Sequence, residues 1–358
     1  MSDERTRTTG RADAPDGDSP FDATGRRGDR IVEWAIRIAA ALAIGLVLYI
    51  GWSYYQDWRL SQTQSPAARA IANLRNSVGA SPNSAILRVR FAEALLANGQ
   101  RGEAIAQLDA ALKIDPEFPS ALSALGLIAM DQEEWPKAEG YWIKLIDILS
   151  KGEMAKNDQR LADAYYDLGT TLVELKRYEE AVTNLKESLR IKRDASPVHY
   201  MLSVAYARLG LPEQQQKELE IVVAFDPNLA QANYDLALLL LKKGDRATAA
   251  ELLRIAVDRA PTGVELPQQE LAKFGDAETH LALARSLKAS DPKKALQEAR
   301  IAAALDTMNA DTVRLIAQLW DKTGDKTKAQ NAWERLLELI PGDTEATAAI
   351  KRLNADVK

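Results

Sequence analysis

From Ser61 to the end of the chain, apolar residues recur at three- and four-residue spacing. Glycine or proline interrupts them roughly every 15 to 20 residues. This is the pattern of helices that bury one stripe and then turn back. No strand-like alternation of apolar and polar residues competes with it, so an all-α chain is expected. The interruptions keep a beat. The stretch Ala232–Pro261 reads ANYDLALLLLKKGDRATAAELLRIAVDRAP, with Tyr234 near its start, Gly244 in the middle and Pro261 at its end. Moving back 34 residues gives Tyr200, Gly210 and Pro227, and a further 34 gives Tyr166.

With position 1 of a 34-residue unit set at Ala230, Leu236 and Ala237 fall at positions 7 and 8, Gly244 at 15, Ala249 at 20, Ala256 at 27 and Pro261 at 32. Units starting at Ala85, Pro119, Ala162, Ser196 and Ala310 keep this phase, and a weaker one starts at Asp276. Small residues at 8 and 20 let the two helices of a unit approach closely. Larger apolar residues at 7, 11 and 24 fill the space between units. Glycine at 15 ends the first helix in a left-handed cap, and proline at 32 stops the second. Residues 153–161 and 264–275 are extra to the pattern, and Gln215 stands where the pattern has alanine. The expected layout is a capping or linking helix over 61–82, units one to five over 85–263, an inserted linker over 264–275, units six and seven over 276–343, and a capping helix over 344–358.

The phased pattern resembles the tetratricopeptide repeat family. The resemblance implies antiparallel helix pairs stacked into a right-handed solenoid, about seven of them between 85 and 343. It also implies that positions 2, 5, 9, 12 and 13 of each first helix line a concave groove. Applied to this chain, that geometry puts Tyr166, Tyr200 and Tyr234 on one stripe, flanked by Val173, Val204, Leu238 and Leu241, with Leu127, Met130 and His280 continuing it. Such a groove suits a peptide with apolar side chains. The alternative is that the tyrosines brace neighbouring helices, or that the protein fills its own groove. Members that hold acidic tails of cytosolic chaperones use a clamp of Lys, Asn and Arg. Here the matching positions hold Val89, Glu93, Ser123, Leu127, Tyr166 and Thr170, so that clamp is missing.

The N-terminal residues have a different character. Residues 1–30 are rich in Asp, Arg, Gly, Ser and Thr, and are expected to be a disordered tail. Residues 38–55, IAAALAIGLVLYIGWSYY, carry no charge, and Ile31 to Ile36 extend the apolar zone. A single-pass transmembrane helix over 31–57 in the lipid bilayer is expected, with Trp52, Tyr54, Tyr55 and Trp58 at one interface. Arginines 26, 27, 30 and 37 favour a cytoplasmic N-terminus, which puts the repeats outside the cytoplasm on a cell (inner) membrane.

Composition narrows the chemistry. The formal net charge of −5 argues against nucleic acid as partner. The chain has no cysteine and so no disulfide, thiolate metal site or cysteine nucleophile. Its two histidines, His199 and His280, have no neighbouring ligands in sequence, and no nucleotide, zinc-protease or serine-hydrolase motif occurs. Neither catalysis nor a cofactor is expected. The expectation is a membrane-anchored scaffold that binds protein or peptide segments and assists assembly of a membrane or exported complex. Its layout resembles bacterial repeat proteins beside the Sec translocon and repeat subunits of cytochrome c maturation. The other class of reading is a structural spacer or homo-oligomeric subunit of a membrane complex.

Overall fold

The computed structural model describes residues 42–56 and 65–355. The expected tail (1–30), residues 31–41 and 57 of the expected anchor, residues 61–64 of the linking segment and residues 356–358 lie outside the described residues. Residues 42–56 form a helix, α1, whose side chains are almost all exposed. Among the described residues no helix is long and apolar enough to cross a membrane.

All other regular structure among the described residues is helical, with no strand. Seven antiparallel pairs run in chain order: α3 (Ala85–Ala97) with α4 (Arg101–Ile114), α5 (Pro119–Asp131) with α6 (Trp135–Ser150), α7 (Gln159–Glu174) with α8 (Tyr178–Ile191), α9 (Ser196–Arg208) with α10 (Pro212–Phe225), α11 (Ala230–Lys243) with α12 (Arg246–Arg259), α14 (Ala277–Leu287) with α15 (Pro292–Leu305), and α16 (Ala310–Thr323) with α17 (Lys326–Leu339). Helix α2 (Pro66–Ala80) covers the first pair and α18 (Thr344–Ala355) the last. The short α13 (Leu266–Ala272) is the insertion between pairs five and six.

Local chemistry explains the pairs. In every unit but the sixth, the first helix closes with two backbone bonds around a left-handed residue, as Gly99 N–H to the Leu96 carbonyl at 3.0 Å and Gln100 N–H to the Leu95 carbonyl at 2.8 Å. This is the Schellman closure, and it satisfies carbonyls that the helix end would orphan. Units two and three make the same closure without glycine: Glu133 (φ 57°) and Lys176 (φ 61°) occupy the left-handed position. Close approach at position 8 is equally strict. A Cβ on Gly126 would meet the Trp142 indole at 2.6 Å, and one on Gly169 would meet Leu185 Cγ at 2.6 Å.

The stacking rule changes once. Up to α11, each second helix packs on the first helix of the next pair. Helix α12 instead packs on α13 and directly on α15, the second helix of pair six. Leu271 and Phe274 from the insertion, with Ile301 and Ala304 from α15, complete the core around α12. Polar bonds fix the junction: Arg300 holds both Glu251 carboxylate oxygens at 2.6 Å, and Arg254 Nε donates to the Ala304 carbonyl at 2.7 Å. The insertion therefore fills the place a first helix would occupy beside α12.

Candidate functional site

The first helices present one face of the stack. Between α3, α5 and α7 this face opens into a cavity of about 550 Å³. Its walls are Glu93 and Leu96 from α3, Ser120, Ser123, Ala124, Leu127 and Ile128 from α5, and Asp163, Ala164 and Asp167 from α7. The floor is Trp142, Leu145 and Leu149 of α6. The extra residues 153–161 border the cavity through Arg160. They form a 3₁₀ turn (Ala155–Asn157) and the capped start of α7, where the Asp158 carboxylate accepts from Arg160 N–H at 2.9 Å. Helix α7 then packs on α6, leaving space between α5 and α7. Leu127 is 52% exposed at this mouth.

The electrostatics of the cavity are uneven. Its two arginines are already engaged: Arg101 with Asp131 at 2.6 Å and Arg160 with Asp158 at 2.7 Å. Glu93, Asp163 and Asp167 have no cation partner among the described residues. Burial, and then the charge of Asp163 one helical turn away, push the Asp167 carboxyl up to about 7.

The tyrosine stripe is built differently. Tyr200 OH donates to the Asp235 carboxylate of the next unit at 3.0 Å, and burial together with that carboxylate raises its pKa. Tyr166 packs on the cluster of Leu185, Val198 and Leu202, while Tyr200, Tyr234 and Leu241 pack on the cluster around α12. Val173 is 8% exposed within the α5–α8 core, which Met130 and Val204 also join. Leu238 is half-buried. Of the expected groove residues, Leu127 lines the large cavity. Tyr234 lines a smaller one of about 400 Å³ beside Val264, Leu266 and Pro267. No cavity described here brings the three tyrosines together.

The expectation for His280 needs correction. It is not a groove residue: Nδ1 lies 2.7 Å from Glu298 and Nε2 2.9 Å from the Phe274 carbonyl, with the side chain 12% exposed. Helix α14 starts at Ala277, with Asp276 as its N-cap, so the unit is shifted by one residue and His280 takes position 4. His199 occupies position 4 of α9 and is held the same way, by Glu218 at 2.6 Å and the Arg193 carbonyl at 3.2 Å. Arg88 and Asn233, also at position 4, bond to the Pro82 and Pro227 carbonyls six residues upstream. In these four units position 4 is a polar brace that ties the first helix to the turn before it, whereas Leu122 and Val313 fill the same position with buried apolar side chains. Asp163 and Asp167, which sequence reasoning passed over, are the residues the cavity adds. Position 2 was named as groove-lining for this pattern, so Asp163 was findable; Asp167, at position 6, was not.

Comparison with known proteins agrees with this architecture. Three family models, each described as tetratricopeptide repeat, match residues 66–140, 117–194 and 200–264, together more than half of the chain. A cellulose synthase operon protein C of Pseudomonas fluorescens (strain SBW25) is 24% identical over 335 residues, 83% of this chain. The chain spans only about a quarter (26%) of that relative's length. Among solved structures, YrrB, titled a TPR protein with an unusual peptide-binding site, is 23% identical, covers 55% of this chain and 96% of its own, and superposes with a TM-score of 0.46. Pseudomonas aeruginosa pilF is 18% identical over 78% of this chain and 99% of its own, with a TM-score of 0.43.

Proposed function

Because the chain belongs to the tetratricopeptide repeat family, we propose that it is a protein-interaction scaffold whose α3–α5–α7 face receives a segment of another protein. The observation that carries this reading is the cavity itself: about 550 Å³, walled by first-helix residues, floored by Trp142, Leu145 and Leu149, and fronted by the exposed Leu127. An open apolar cavity of this size with a few polar groups at its rim is the ordinary form of a binding site. The tyrosine stripe contributes rigidity upstream of binding, since Tyr200 spends its hydroxyl on Asp235.

In the same reading, residues 31–57 anchor the protein in a cell membrane and the repeats work outside the cytoplasm, assisting assembly of a membrane or exported complex. The basic residues before the apolar stretch and the likeness to part of a cellulose synthase operon protein support this. Digestion of spheroplasts with an added protease tests the placement. The repeats are cut from outside if it holds and survive until lysis if it does not.

The scaffold role is tested by filling the cavity. Ser123→Trp puts an indole into the space between α5 and α7. Expected is loss of proteins co-purified with the full chain, with an unchanged helical circular dichroism spectrum. Undiminished co-purification from that variant removes the cavity from the account.

A further inference from the structure

Resting on the reading of the α3–α5–α7 face as a docking groove, we infer that its occupant is a basic, apolar protein segment: a Lys or Arg side chain set among apolar ones, its cation placed against Asp163 and Asp167.

Charge complementarity singles out this occupant. The apolar floor and Leu127 call for apolar side chains, as any groove of this kind would. The rim is more selective. Both guanidiniums in the wall are already bound to carboxylates, at 2.6 and 2.7 Å, so they offer nothing to an acidic segment. Glu93, Asp163 and Asp167 remain without a cation among the described residues. An acidic or phosphorylated segment would meet the uncompensated charges of Glu93 and Asp163, with Asp167 beside them, which disfavours it. A neutral segment would leave Asp167 half-buried, unpaired and further desolvated, a costly state for a carboxylate. A Lys or Arg side chain removes both penalties, and its aliphatic stem covers apolar wall. The raised pKa of Asp167 has the same origin: burial, and then the charge of Asp163, disfavour its carboxylate form.

The test uses the full chain in detergent micelles and a displayed library of randomised twelve-residue peptides. Bound peptides are sequenced for the native protein, for Asp163→Asn/Asp167→Asn and for Ser123→Trp. Expected for the native protein is enrichment of Lys or Arg flanked by Leu, Val, Phe or Met. A single peptide chosen from that pool should bind about tenfold more weakly when its basic residue becomes Gln, as loss of a charged hydrogen bond would give. In Asp163→Asn/Asp167→Asn the preference for the basic residue should vanish, and the Gln peptide should bind at least as well as it does to the native protein. Enrichment of neutral or acidic peptides that Ser123→Trp abolishes overturns the charge inference and leaves the groove standing. Peptides bound equally by Ser123→Trp, or no peptide enriched at all, overturn the groove reading and this inference with it. The double Asn variant removes charge without changing shape, and its helical signal at 222 nm checks that it folds.

Discussion

Residue by residue, conformational preference sets the clearest costs. Glu133 and Lys176 stand in a left-handed position that costs a non-glycine residue about 1–2 kcal/mol, while glycine there gives back about 0.5–1 kcal/mol in chain entropy. Lys176→Gly should therefore stabilise the protein by about 0.5–1 kcal/mol, read as a higher denaturant midpoint with unchanged slope. Gly169→Ala should destabilise by about 1–3 kcal/mol, because its new methyl would lie 2.6 Å from Leu185 and the pair must separate. Both rest on positions 15 and 8, which the 34-residue phase already marks, and that part of the fold was legible because it depends on neighbours within one unit. Asp167 was not: its role depends on the cavity between α3, α5 and α7 and on the charge of Asp163. Its raised pKa has a consequence with a definite sign. The folded protein holds the proton more tightly than the unfolded chain, so the stability this group contributes is present below its ordinary value of 3.8 and is lost as pH rises to about 7. The groups facing it around the cavity, Glu93, Arg101, Asp131, Arg160 and Asp163, leave that sign intact, since both arginines are engaged elsewhere. Asp167→Asn should be close to native in thermal stability at pH 4 and more stable than native at pH 8. A variant equally displaced at both pH values would mean that Asp167 titrates normally.

Element by element, the insertion α13 does more than link two blocks of repeats. Leu271 is 2% exposed and Phe274 8%, and both belong to the core around α12. Arg246 lies 5.1 Å over the Phe274 ring, tying the insertion to the start of α12. Leu271→Ala should cost about 2–5 kcal/mol, the range for a buried leucine, although a seven-residue helix between repeats has the look of a dispensable linker. A cost under about 1 kcal/mol, measured by urea unfolding, would show that α13 only lies on the surface. The 34-residue phase marks residues 264–275 as extra, yet their packing was hidden. Helix α15 meets α12 across about fifty residues of chain, through Arg300 with Glu251 and Arg254 with the Ala304 carbonyl. No periodicity reports a contact of that range. The one-residue shift of α14 has the same origin: Asp276 reads as position 1 but serves as N-cap, and His280 moves from groove to brace.

On the scale of the molecule, the stack is a row of locally packed units with α2 and α18 closing its ends, so its stability is a sum of unit and neighbour terms. That arrangement leaves one face of first helices free for a partner, and the cavity of about 550 Å³ on it lies near the N-terminal end, between α3, α5 and α7. The repeat pattern puts the expected interaction surface on the first helices and its centre on Tyr166, Tyr200 and Tyr234; those side chains also pack against neighbouring clusters, and the cavity between α3, α5 and α7 lies at Leu127. The most direct measurement compares two positions on that face. A photo-crosslinking amino acid is placed at position 127 in one strain and at position 200 in another, cells are irradiated, and adducts are identified by mass spectrometry. The account predicts adducts to segments of another protein from position 127, basic residues among them, and few or none from position 200. Adducts from position 200 with none from position 127 would contradict it and return the binding surface to the tyrosine stripe.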